Sequence, residues 1–261
     1  MKKSILVFVL CMFHASSMAN LMIAPTYGFF QDNERSKQIN LINSTDEPRT
    51  YRISWSDKAQ LPDGGYEELD LGAYRYSAAN YLRFAPRQVR LMPGERQTIK
   101  ILKRNTSMLA PGDYRSHLTF TALPDSGDYN PDDDVSGMRL KLNTVINYSI
   151  PVVMRVGDEA PQAQIVNAEL VRGTNRNGGL KVTLNRTGNT GTLGRIQAYI
   201  LDQKGQPSKQ VGLLNGANFF RDGNQIVFNM DLNTRLKNSD KVLLTYDDAV
   251  TRQVYDKKMI N

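Results

Sequence analysis

Cysteine is nearly missing from this chain. The only one, Cys11, sits inside the apolar run "SILVFVLCMF" close to the start, so no intramolecular disulfide can form. Histidine is almost as scarce: His14 falls just after that run, and His117 is the only one further on. Zinc sites draw mainly on these two residue types, so a zinc centre has almost no ligands to use. The acidic run "DSGDYNPDDDVSG" lacks the sixth-position glycine and twelfth-position glutamate of an EF-hand loop, and reads as a solvated connection. Gly188, Gly191 and Gly194 do not have dinucleotide-binding spacing, and neither a Walker motif nor a GxSxG elbow occurs. His117 has no partner motif beside it and reads as an ordinary strand residue. The common catalytic constellations are thereby excluded; no catalytic residue, metal or cofactor is expected.

A dominant charge is lacking too. There are 33 basic and 26 acidic residues, a net charge of +7, and the bases are scattered instead of forming a stripe interleaved with aromatics. Such a balance favours solubility and acidic partners and gives no footprint for nucleic acid. Beyond residue 20 no apolar stretch approaches the roughly 20 residues needed to span a bilayer, so stable membrane insertion is not expected. The opening residues are different. Lys2 and Lys3 precede the apolar run, and "SMAN" places Ser17 and Ala19 at small-residue cleavage positions. That order is a secretory signal peptide over residues 1–19, which takes the rest of the chain out of the cytoplasm and removes Cys11.

What is present is alternation. "KQINLIN" alternates Ile39 and Leu41, "RTYRISW" alternates Tyr51, Ile53 and Trp55, "QTIKIL" alternates Ile99 and Ile101, and "RSHLTFTAL" alternates Leu118 and Phe120. Turn chemistry separates these segments: "NSTDEP", "LPDGG", "MPGE" and "APGD". Short strands at such spacing predict an all-β sandwich over residues 20–156. The polar stretch "VGDEAPQAQ" (156–164) is the linker. After it, "GLKVTLNRTGN", "GRIQAYILDQKGQP", "NQIVFNMDL" and "DKVLLTYDD" predict a second, smaller β domain over residues 157–261.

One segment breaks the pattern by its length. "MRLKLNTVINYSIPVVMR" (138–155) reads as a single strand in which Leu140, Leu142, Thr144, Ile146, Tyr148 and Ile150 share a face. Arg139, Lys141, Asn143, Val145 and Asn147 lie on the other. A mean strand has about 5–6 residues, and a proline inside one is confined to an edge, a bulge or the strand start. A long apolar edge is an aggregation hazard that proteins normally blunt. Its retention asks for a use.

The motifs "RLMPGERQTIKI", "YRSHLTF" and "NYSIPVVMR", in that order, resemble the periplasmic pilus-assembly chaperones of the chaperone–usher pathway. "ANLMIAPTYGFF" and "YSIP" are nearer its archaic and alternative branches. The resemblance covers the whole first domain; the second matches only in size and strand character. It implies two immunoglobulin-like β-sandwich domains joined at an angle with a cleft between them, located in the periplasm. It implies pilin subunits held one-to-one by donor-strand complementation through the last strand of the first domain, and delivery to an outer-membrane usher. Such a protein is not an enzyme. The donor face is then Leu140, Leu142, Thr144, Ile146, Tyr148 and Ile150. In this family basic residues anchor the subunit's terminal carboxylate, and the usual first-strand Arg and last-strand Lys positions hold Tyr27 and Pro151 here. The archaic arrangement has an Arg at the start of the penultimate strand, which matches Arg115; Lys100 and Arg155 are expected near the same cleft. The competing reading is a secreted structural or adhesive fibre subunit. Such a subunit would carry an N-terminal donor extension, whereas "LMIAPTYGFF" reads as the chaperones' own first strand.

Overall fold

The computed structural model describes residues 21–124, 146–237 and 239–260, and among them there are seventeen strands and no α-helix. Alternation in the sequence becomes alternation in burial. In β3 (Ser36–Asn43) Ile39 and Leu41 are buried, and in β8 (Arg96–Lys103) so are Ile99 and Ile101. In β4 (Arg49–Gln60) Tyr51 and Ile53 point inward, as do Leu118 and Phe120 of β9 (Gly112–Leu123). Each large side chain so buried contributes about 1.5–3 kcal/mol.

Two sheets enclose that core. One has the order β1 (Leu21–Ala24), β3, β8, β6 (Leu82–Ala85). The other runs β2 (Gly28–Phe30), β10 (Asn147–Val156), β9, β4, β5 (Tyr66–Leu69), with β7 (Gln88–Leu91) also pairing β4. The "NSTDEP" turn is organised by buried Asn43, whose Nδ2 donates to the carbonyls of Glu47 and Leu91 while its Oδ1 accepts from the Thr45 N–H and hydroxyl. This is the turn chemistry the sequence predicts.

A second sandwich follows. Its sheets are β11 (Gln162–Val171), β12 (Gly179–Thr187), β15 (Gln225–Asp231), and β14 (Pro207–Asn215), β13 (Gly194–Leu201), β16 (Val242–Asp248), β17 (Val254–Ile260). Leu180, Val182, Leu184, Ile196, Phe219, Leu244 and Tyr246 fill its interior. Sequence periodicity finds β12, β13, β15 and β16. It misses β11, which begins at Gln162 inside the stretch read as the linker, and β14 and β17, whose exposed, charge-bearing patterns offer little contrast between faces. The chain is thus all-β, two sandwiches in series. A third, small apolar cluster of Val153, Leu193 and Phe220, with Tyr27 and Phe29 against it, lies where the two meet.

Candidate functional site

The last strand of the first sandwich, β10, has two different edges. On one side it pairs antiparallel with β9 along its whole length, from Asn147↔Thr121 to Val156↔Gly112. On the other, β2 pairs with it only at Val152–Met154. Among the described residues no strand covers Asn147–Pro151 on that side. The Ala122 N–H donates to the Ile146 carbonyl, which fixes the ladder's phase. Asn147, Ser149 and Pro151 then direct their main-chain groups away from β9, to the open edge. Pro151 sits where its missing N–H removes nothing from the β9 ladder.

Burial along β10 is graded. Val152 and Met154 are in the first core, Ile150 is 5% exposed, Tyr148 is half-buried against the core, and Ile146 is 38% exposed. One side-chain face therefore passes from the protein's own interior into solvent as the strand is followed backward. Leu140, Leu142 and Thr144 lie outside the described residues.

The opposite face of the same ladder meets the second sandwich. Register places Val153 opposite Arg115 and Arg155 opposite Asp113. Arg155 forks onto Asp113, with Nε to Oδ1 and Nη2 to Oδ2 both at 2.8 Å, and its Nη2 also donates to the Gly191 carbonyl at 2.8 Å. Burial opposes the Arg155 charge, but the hydrogen bonds and the negative charge of Asp113 outweigh it and hold the guanidinium pKa above its usual value. Asp113 binds the second sandwich itself, through its N–H to the Asn189 carbonyl at 3.0 Å and its Oδ2 to the Gly191 N–H at 2.8 Å. Neighbouring Gly112 has φ 135°, and a Cβ there would lie 2.9 Å from the Asn189 oxygen. Only glycine lets the two backbones come this close.

Arg115 is buried. Its side chain is 3% exposed, its Nη2 donates to the Lys58 carbonyl at 2.6 Å, and it pairs with Asp222 of the second sandwich at 3.1 Å. The guanidinium carbon lies 4.1 Å from the Phe220 ring centroid, 5.2 Å from Tyr74 and 5.8 Å from Tyr66. Its Nε and Nη1 have no hydrogen-bond partner among the described residues. His117, two residues along, packs edge-on against Tyr66 at 5.1 Å, and neither ring nitrogen is hydrogen-bonded among the described residues. Burial first, then the charges of Arg115 and Lys58, push its pKa down to about 3.

Beside this contact runs a cleft of about 390 Å³ lined from both sandwiches. Tyr27, Phe29, Arg155, Leu193, Asp248 and Tyr255 are among its walls. Of the three basic residues singled out in the sequence, the fold brings Arg115 and Arg155 to one face, and only Arg155 lines the cleft. Its side chain keeps 17% exposure and its Nη1 makes no hydrogen bond among the described residues. Lys100 is exposed on β8, opposite Gln38 in the other sheet of the first sandwich, and does not line the cleft. Sequence reasoning passed over Asp113, Asp222 and Gln60, which carry most of the contact between the sandwiches. Their only signal is membership of ordinary turn and strand segments.

No helix among the described residues is long and apolar enough to cross a membrane, and no group of three or more potential metal ligands occurs among them. No protein-family model and no curated protein matches the chain. Among solved structures it is similar to a chain of the chaperone–tip adhesin complex of CFA/I fimbriae biogenesis. That match has 12% identity over 93% of this chain and 98% of that one, with a TM-score of 0.48. It is also similar to the class 5 fimbriae chaperone CfaA, at 14% identity over 92% and 98% of the two chains and a TM-score of 0.46. The Pseudomonas aeruginosa CupB2 chaperone gives 10% identity, 92% and 98% coverage and a TM-score of 0.46.

Proposed function

We propose that this protein is a periplasmic assembly chaperone that holds pilus subunits by lending them the open edge of β10. The observation that carries the reading is that edge: Asn147–Pro151 present unpaired main-chain groups while the side-chain face beside them climbs out of the core. A subunit sandwich lacking one strand needs both a hydrogen-bonding edge and alternate apolar side chains, and strand addition supplies them together. The sequence extends the same face backward through Thr144, Leu142 and Leu140. The subunit is held one-to-one until an outer-membrane usher receives it. No catalytic step is involved.

The terminal carboxylate of the subunit is assigned among the three basic residues singled out in the sequence, Arg155, Arg115 and Lys100, of which only Arg155 lines the cleft. Access supports Arg155, which lines the cleft with an unbonded Nη1 suited to a carboxylate oxygen. Arg115 is closed off behind Asp222.

The test places a charge on the inserted face. Leu142→Asp and Ile146→Asp are expected to leave the monomer folded and soluble. They remove about 1.5–3 kcal/mol of burial each and add a carboxylate that a partner's core cannot solvate. Co-expressed subunits lacking a strand then aggregate or are degraded, whereas with Asn143→Asp, one step over on the opposite face, they are still captured. Equal loss in all three variants overturns face-specific insertion. Unfolding of the Leu142 and Ile146 variants alone shows that the strand only closes its own sandwich.

A further inference from the structure

The "LPDGG" segment reads in the sequence as a simple turn, and the proposed function makes no use of it. In the fold it is the tip of an arm. β4 continues past the edge of the first core to Gln60, the tip closes with the Leu61 N–H on the Gly65 carbonyl at 2.9 Å, and β5 returns. Alternate residues of this arm, 60, 62 and 64, face the second sandwich.

Gln60 makes three bonds there. Its Nε2 donates to the Asn218 carbonyl at 2.8 Å and its Oε1 accepts from the Phe220 N–H at 2.9 Å, so the side-chain amide pairs with the backbone as a strand neighbour would. Its own N–H donates to Asp222 Oδ1 at 3.0 Å, the same oxygen that receives Arg115. Two residues on, the Pro62 carbonyl accepts from the Val227 N–H at 2.8 Å. Gly64 has φ 84°, and a Cβ there would sit 3.1 Å from the Phe228 ring, so the tip rests on that ring and requires glycine. Four directional bonds from one hairpin amount to a fixed strut between the two bodies.

We propose that the β4–β5 arm sets the orientation of the two sandwiches, with Gln60 as its positioning residue, so that the cleft beside β10 is formed before a subunit arrives. Domains joined by short linkers move relative to one another unless their interface prevents it. A preformed site saves the ordering cost at the moment of binding. The consequence for capture rests on the chaperone reading; the consequence for orientation does not.

The experiment uses the full mature chain with fluorophores at Ser44→Cys and Lys204→Cys, one on each sandwich, and reads the distance distribution between them. Trp55 emission, from the first core, monitors folding. In the parent the distribution is expected to be narrow. Gln60→Ala and Gly64→Ala are expected to broaden it at least twofold and to weaken capture of a co-expressed strand-deficient subunit about tenfold, with Trp55 emission unchanged. Gln60→Glu, which keeps the acceptor and loses the donor, falls between. Glu67→Ala, exposed on β5, matches the parent. A distribution unchanged by Gln60→Ala and Gly64→Ala overturns the proposal whatever happens to capture. A parent that captures no subunit, yet broadens on Gln60→Ala, overturns the chaperone reading and leaves the arm standing.

Discussion

Arg115 shows how far a side chain's environment can depart from its place in a motif. Its charge is held among three aromatic rings and balanced by Asp222, with both side chains under a tenth exposed. Breaking a buried ion pair by removing one partner costs about 3–5 kcal/mol, because the other charge is left uncompensated. Arg115→Ala is therefore expected to lower unfolding free energy by about that much in a urea titration. Arg115→Met combined with Asp222→Asn removes both charges, keeps an Oδ1 acceptor for the Gln60 N–H and recovers much of it. The double variant then isolates the anchor. We expect it to keep its grip on a subunit; a loss of about tenfold to a hundredfold, the equivalent of a charge-assisted hydrogen bond, would hand the carboxylate to Arg115. His117 gives a second residue-scale expectation. Its folded pKa of about 3 lies below the unfolded value of 6.5. The unfolded chain therefore binds the extra proton first. The stability due to neutral His117 is complete above pH 6.5 and is lost as the pH falls toward 3, by up to about 1.4 kcal/mol per pH unit. His117→Leu, which also removes two unsatisfied buried nitrogens, is expected to match or exceed parent stability at pH 7 and to flatten that acid-side slope. A parallel slope in the two proteins would show that the histidine is hydrated in the folded state.

At the scale of the element, period-two patterning carries most of the information. Ile39 and Leu41, Ile99 and Ile101, and Leu118 and Phe120 announce β3, β8 and β9 because each strand has one wet face and one dry. The same rule orders β10, and Pro151 marks which of its edges is open, since proline is tolerated only where an N–H is not needed. What the pattern does not carry is which polar residues meet across the chain. Gln60 and Asp222 are separated by 162 positions, and neither has a local property that foretells the pairing. For the same reason Arg115 is recognisable as a basic residue near a strand end, while its occupation by Asp222 depends on how the second sandwich docks; Arg155 meets Asp113 inside the first sandwich, through the β9–β10 register. The turn at "LPDGG" is legible as a turn and illegible as a strut. Strands such as β14 and β17, exposed on much of their surface, lack the contrast that alternation needs.

Among the described residues the molecule is two β-sandwiches, and the proposed role rests on the partly open edge of β10. Everything else about the proposed role follows from that edge: the cleft beside it, the half-buried Arg155 at its end, and the arm that fixes the two bodies around it. Amide hydrogen exchange reads the edge directly. The Asn147 and Ser149 N–H groups point away from β9, while those of Tyr148 and Ile150 point into the β9 ladder. In the free protein the first pair should exchange quickly and the second slowly. In a purified one-to-one complex with a strand-deficient pilus subunit, Asn147 and Ser149 should slow by about a hundredfold or more, as ladder bonds form on the open side, with Tyr148 and Ile150 little changed. Exchange at Asn147 and Ser149 that stays as fast in the complex as in the free protein would contradict the account, because the subunit would then be bound without the strand.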